Sequence, residues 1–393
     1  MSWITLSPRD PLIARDSRPF QAGSRARTLP WPYPSVITGS LRTLLGKQLA
    51  ESNPKQEAFH PEVVEALKQI QCSGPWVIQN EKLFFAMPQD LVFYENEASQ
   101  TKIMQLEPAP FTEGTGALMP HPELWPMHVT QDVKPTSKGA FCSATLLYRW
   151  LSKAEPTINI EERDFIKPLQ IDERIHVKID PKLQRAEDSH LFVTSGLVFP
   201  DVRATPIKPD QESLRGTEPL QILIQAHTKN AEIQSLIEKL SHWHPVGGER
   251  RLSRIQKENT FDNLACPTDL KKALEQAPGL RMFLTTPAIF KQGWLPNWLN
   301  EELKGTIPQT DIQVRLRGAC LGRYQPISGW SLERGRRGPK AIRRMVPAGS
   351  VYFFEVLKGE TASLSDKWLQ HHIGDSEQDN LDGFSGVIWG RWK

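Results

Sequence analysis

The residues best suited to hold a ligand are cations crowded near the C-terminal end. Arg315, Arg317, Arg323, Arg334, Arg336, Arg337, Lys340, Arg343 and Arg344 stand between positions 315 and 344, against one acid, Glu333. Like charges at this density repel one another and favour a polyanionic partner. Gly329, Gly335, Gly338 and Pro339 among them favour a loop over a helix. Trp330 and Tyr324 are interleaved and have the flat faces on which bases stack. On charge alone the stretch reads equally as a solvated surface loop.

A second basic loop carries Arg9, Arg15, Arg18, Arg25 and Arg27 with only Asp10 and Asp16. It runs into the clearest helix start in the chain, Pro34-Ser35-Val36-Ile37-Thr38-Gly39-Ser40-Leu41-Arg42. Ser35 reads as the N-cap, and Val36, Leu41, Leu44, Leu45 and Leu49 form an apolar face. The amides and partial positive charge of a helix N-terminus suit a phosphate, with Thr38, Gly39 and Arg42 on the first turns. The bland alternative is an amphipathic helix with an ordinary cap. Gly247-Gly248-Glu249-Arg250-Arg251 is another candidate backbone-binding turn, weak by itself. Arg174-Ile175-His176-Val177-Lys178-Ile179 alternates as a half-buried strand does, so Arg174, His176 and Lys178 share a face. That face reads more simply as solvent surface.

Catalytic signatures are absent. There is no P-loop, no GxGxxG after a strand, no HExxH and no RRM aromatic signature. Cys72, Cys142, Cys266 and Cys320 form no CxxC pair, which argues against a zinc ribbon and a disulfide framework. His242/His244 and His371/His372 lack a further ligand cluster and read as surface or turn residues. No metal or other cofactor is expected. A metal-free ribonuclease would need one general base, and His176, beside Arg174 and Lys178, is the best placed.

The elements that position these residues are short and separated by long connections, as 32 prolines and 25 glycines imply. The length of 393 residues suggests two domains, and 39% hydrophobic with 24% charged residues is a globular composition. A net charge of +3 makes any nucleic-acid footprint local. Twelve tryptophans is a high count, several in polar surroundings that a base or a partner would cover. No apolar leader or membrane-length run occurs, so a reduced cytoplasmic setting without membrane contact is expected. Strands are expected at 2–6, 174–179, 191–199, 220–225, 279–290, 312–317, 350–356 and near the end, with a hairpin at 76–85. Helices are expected at 143–152, 230–241 and within 269–276. Polar, proline-rich insertions fall within about 95–175, and the domain boundary near 258/259. The order fits a split β-α-β sandwich in each part, 1–258 and 259–393.

Six blocks in the same order resemble one family. They are DPLIARDSRPF with LPWPYPSVITGSLRTLLG, GPWVIQNEKLFFAMPQDL, VGGERRLSRI, LTTPAIFKQGWLP, ISGWSLERGRRGPKAIRRMVPAGSVYFFE and GFSGVIWGRW. The chain resembles RAMP proteins of type III-B CRISPR effectors, specifically the third subunit of the Cmr complex. The resemblance implies an α+β fold of two ferredoxin-like (RRM-like) domains with antiparallel sheets, long loop insertions and a glycine-rich C-terminal turn. It implies a subunit without nuclease activity that caps the 5′ end of the effector. Its partners would be the repeat-derived 5′ tag of the crRNA, the large polymerase-like subunit and the backbone RAMP subunit.

Carried onto this chain, tag contacts fall on Arg15 and Arg18, on Ser35, Ile37, Thr38, Gly39 and Arg42, and on Gly247, Gly248, Arg250 and Arg251. They also fall on Trp330, Arg336, Arg337, Lys340 and Arg343, and on Gly383 and Gly386 of the closing turn; the strand face of His176 and Lys178 is included. Holding a recurrent tag needs amide donors, arginines on phosphates and aromatic stacking, and no catalysis. The alternatives are a metal-independent endoribonuclease for precursor crRNA and a protein-only scaffold whose arginines meet acidic partners.

Overall fold

A computed structural model describes the chain except residues 16–24, 53–58, 97–99, 130, 137–138, 153–156, 200–218, 263, 276, 332–337 and 393. In chain order the principal elements begin with β1 (Ser2–Pro8), α1 (Pro34–Ser52), α2 (Pro61–Lys68) and β2 (Gln71–Gln79). β3 (Lys82–Ala86), β4 (Phe141–Ser143), α3 (Ala144–Ser152), β5 (Ile171–Ile179) and β6 (Ala186–Leu197) follow. Then come β7 (Leu220–His227), α4 (Ala231–Glu238), β8 (Ser241–Pro245), β9 (Leu252–Glu258) and α5 (Thr268–Leu274). The chain closes with β10 (Gly279–Leu284), β11 (Gln313–Cys320), β12 (Val351–Lys358), β13 (His371–His372) and β14 (Gly386–Arg391). The architecture is α+β, and the principal sheets are antiparallel.

The chain forms two compact units, each assembled from three segments. The first holds 1–81, 168–262 and 326–344; the second holds 82–167, 263–325 and 345–393. Strand pairing joins distant segments, which sequence position alone does not show.

The first unit is built on a sheet ordered β2-β7-β1-β9-β8. β1 buries Trp3, Ile4, Thr5 and Leu6, so it is covered on both faces. Ile37, Leu41, Leu44, Leu45 and Leu49 form the buried stripe of α1. The helix begins at Pro34, so Ser35 lies inside the first turn rather than capping it. Proline's fixed φ and missing N–H suit that first position. β5 and β6 pair as an antiparallel ribbon, the one expected, across a turn at 180–185. The Asp180 carboxylate accepts from Leu183 N and Lys182 N there, which holds it below the usual carboxylate range.

The second unit repeats the order around β10: β11-β12-β10-β14, with β13 beyond β14 and residues 304–306 beyond β11. All six residues of β10 are buried, Arg281 included. Its Nη1 donates to Asp90 Oδ2 at 3.4 Å, its Nε to Arg391 O at 3.0 Å, and its Nη2 to Trp150 O. Trp150 Nε1 donates to the same Asp90 oxygen at 3.1 Å. Burial pushes the Asp90 carboxyl up, and the arginine opposes that shift. This pair ties the 82–167 segment to the C-terminal sheet.

Candidate nucleic-acid interface

The first unit gathers several of the basic stretches. Gly248 N donates to Ile13 O at 2.7 Å, and Arg9 N to Leu252 O at 2.9 Å. The loop before residue 16 therefore lies along the β8–β9 turn. Gly247 has φ +73°, and a Cβ there would stand 2.3 Å from Ile13 O. The paired glycines thus admit a neighbouring backbone. On the other side, Leu12 and Leu197 exchange backbone hydrogen bonds of 2.8 Å, which brings in the base of the β5–β6 ribbon. Thr28 N donates to Ser195 Oγ at 2.8 Å, and Ser195 Oγ donates to Ala26 O at 3.1 Å, fixing the loop's return.

These contacts place exposed Arg9, Arg15, Arg27 and Arg250 in one region, with Arg251 half-buried. Arg254 on β9 is a further exposed cation that sequence reading passed over. Its signal was the alternation of Arg254 and Gln256 with buried Ser253 and Ile255. The basic segment 326–344 also belongs to this unit. Residues 330–331 and 338–339 pair as a narrow hairpin, and Lys340 N donates to Gly329 O at 2.8 Å. Lys340, Arg343 and Arg344 are exposed. Arg18, Arg336 and Arg337 lie outside the described residues, as does the side chain of Trp330.

The other expected contacts differ in their surroundings. Ile37 and Thr38 are buried, whereas Gly39 is exposed with open space beside it. Arg42 Nη2 donates to Lys68 O at 3.1 Å and Ile70 O at 3.0 Å, closing the C-terminal end of α2. Lys178 pairs with Glu187 at 2.8 Å and Arg174 with Asp172 at 2.7 Å. His176 is half-buried, hydrogen-bonded to Thr194 Oγ1 at 2.8 Å and stacked on Phe192. Arg317 meets Glu355 at 2.8 Å and Glu123 at 3.0 Å over the Trp125 ring, so its charge is balanced within the second unit.

The closing glycine turn is buried too. Gly386 N donates to Thr286 Oγ1 at 2.9 Å, and that hydroxyl donates to Gly383 O at 2.8 Å. Its glycines thus take part in the packing of the second unit.

The histidines expected at surface or turn positions divide. His242 is exposed, with Gln48 Nε2 2.6 Å from its Nε2, while His244 is buried. Burial, and then Lys47, hold the His244 imidazole below its usual range. His371 and His372 are buried on β13. Trp389 Nε1 donates to His371 Nδ1 at 2.9 Å, so Nε2 carries the proton toward Pro308 O, also 2.9 Å away. Burial holds His371 down to about 4. Among the described residues no cluster of three or more His, Cys, Asp or Glu is disposed to hold a metal. Nor is any described helix long and apolar enough to cross a membrane.

Residues 4–392 match the family model described as CRISPR-associated protein (Cas_Cmr3). No curated protein matches the chain. Among solved structures it is similar to a chain of the type III-B Cmr-beta complex bound to cognate target RNA and AMPPnP, studied by cryo-EM. The TM-score is 0.51 at 13% identity, covering 98% of this chain and 96% of that one. A second cryo-EM structure of Cmr-beta, bound to cognate target RNA, gives 0.50 at the same identity and coverage. At that identity the likeness is one of fold.

Proposed function

The chain belongs to the CRISPR-associated Cmr3 family, and from that premise we propose that it is the non-catalytic RNA-binding subunit capping the 5′ end of a type III-B effector. It holds the repeat-derived crRNA tag and contacts the large polymerase-like subunit and the backbone RAMP subunit. One observation carries the reading: contacts between the 9–15 loop and the β8–β9 turn bring exposed arginines together in the unit that also holds the basic 326–344 segment. Arginines held on closed backbone grip phosphates at a lower ordering cost than arginines on a free loop, because only their side chains are left to order.

Each unit is ferredoxin-like in this reading. Its support is the shared strand order, in which the first strand lies between the third and fourth and the second pairs with the third. The resemblance of fold to chains from complexes bound to cognate target RNA agrees with an RNA setting.

The test is purification of the tagged protein from its own operon, with sequencing of the RNA that accompanies it. Small RNAs sharing one short 5′ sequence, and left intact by the purified protein, are the expected result. Cleavage abolished by His176→Ala would replace this reading with a nuclease. Absence of RNA would leave a protein scaffold.

A further inference from the structure

β8 is the outermost strand of the first unit's sheet, and its pairing with β9 sets Trp243 opposite Arg254. β9 in turn sets Arg254 opposite Ser7 of β1. Directly opposed residues of antiparallel strands point to the same face, with strands about 4.8 Å apart. Trp243, Arg254 and Ser7 thus form one row, extended by Gln221, whose Nε2 donates to Ser7 Oγ at 2.5 Å. Ser241 and Gln256 form the next row on that face. The opposite face is turned to α1, where Gln48 meets His242 and His244 is buried.

Trp243 is 53% exposed, an unusual state for an indole on a paired strand. Arg254 is exposed beside it, with Arg250 in the adjoining turn and Arg9 on the strand's neighbour. Among the described residues no carboxylate stands within ion-pair distance of these three arginines. The nearby acids are otherwise placed. Asp10 Oδ2 accepts from Leu252 N at 3.4 Å, Glu258 accepts from the amides of Asn259 and Thr260, and Glu249 faces solvent on the turn.

We propose that Trp243 and Arg254 form a stacking platform for one unpaired RNA base and its phosphate. The base lies on the indole, and the guanidinium one strand away meets the flanking phosphate, with Arg250 and Arg9 extending the track. This rests on the RNA-binding reading above and assigns it a residue pair. The surroundings of the indole favour RNA over an apolar protein partner, because the exposed Arg254, Arg250 and Arg9 border it, while the apolar row that adjoins it on the same face, Pro245 opposite Leu252, is half-buried. Stacking of this kind tolerates any base, and two hydrogen-bonded strands hold the ring and the cation in fixed register.

The test is fluorescence anisotropy of the full-length chain with a labelled oligouridylate and with an RNA duplex of equal length. Trp243→Ala should weaken oligouridylate binding roughly 5- to 150-fold, the effect of losing one base stack, and leave duplex binding unchanged. Trp243→Phe should retain most of the affinity. Arg254→Ala should lower the slope of log affinity against log salt by about 0.7, one phosphate on a single strand. Wild-type affinity in Trp243→Ala would overturn the platform and leave RNA binding standing. Failure of the wild type to bind either RNA would overturn both. Equal losses on the two probes with a lowered melting temperature would make Trp243 structural and end the proposal. Unchanged RNA affinity with loss of a co-purifying protein would make this a protein-docking face instead.

Discussion

Replacing Arg281 by methionine removes the cation from the interior of the second unit and leaves the Asp90 carboxylate, with no exposed side-chain surface, facing Trp150 alone. Breaking one side of a buried ion pair costs about 3–5 kcal/mol. The carbonyls of Trp150 and Arg391 lose their donor as well. For a unit of about 200 residues a loss of that size lowers the melting temperature by roughly 6–20 °C.

The effect carries a pH signature. Burial already raises the Asp90 carboxyl, and loss of Arg281 removes the largest influence opposing that rise. A carboxyl whose folded value stands above its unfolded value contributes stability at low pH and loses it as pH rises through the folded value. The deficit of Arg281→Met against wild type should therefore be largest at neutral pH and shrink in mild acid. A second variant, Arg281→Met with Asp90→Leu, removes both charges and should recover much of the loss. The assay is urea denaturation followed by amide exchange in β10, β12 and β14, which reports on this unit rather than the whole chain. A deficit below about 1 kcal/mol, or one that does not change with pH, would refute the claim that the pair organises the unit.

Acidification from about pH 6.5 to about 4 should erode the second unit, because the unfolded imidazole of His371 takes its proton first while the folded one is held to about 4. The loss is at most about 3 kcal/mol, and a denaturation midpoint with the same pH slope in His371→Leu would rule it out. Arg42→Met should cost about 1–3 kcal/mol by freeing the carbonyls that end α2, yet leave the salt dependence of RNA binding intact. A slope reduced by one phosphate would return Arg42 to the RNA surface. Gly247→Ala should loosen the 9–15 loop, seen as new proteolytic cuts there, since its φ is left-handed and its Cβ meets Ile13 O. An unchanged digest would show that the backbone yields at little cost.

Periodicity and apolar runs carried much of the secondary structure. The stripe of α1, the two strands of the ribbon, and the run around Met282 and Phe353 are legible because side chains alternate or cluster with local burial. The density of arginines likewise marked a candidate polyanion surface without coordinates. What the sequence by itself could not decide was which of those arginines face outward. Arg42 closes a helix and Arg317 sits between two glutamates, while Arg9, Arg250 and Arg254 remain exposed. Those fates depend on partners far along the chain, brought near only when distant strands pair. The same holds for Arg281, whose burial depends on Asp90 and Trp150 closing around it. Local pattern determined the elements; long-range pairing, which buries some charges and balances others, decided the site.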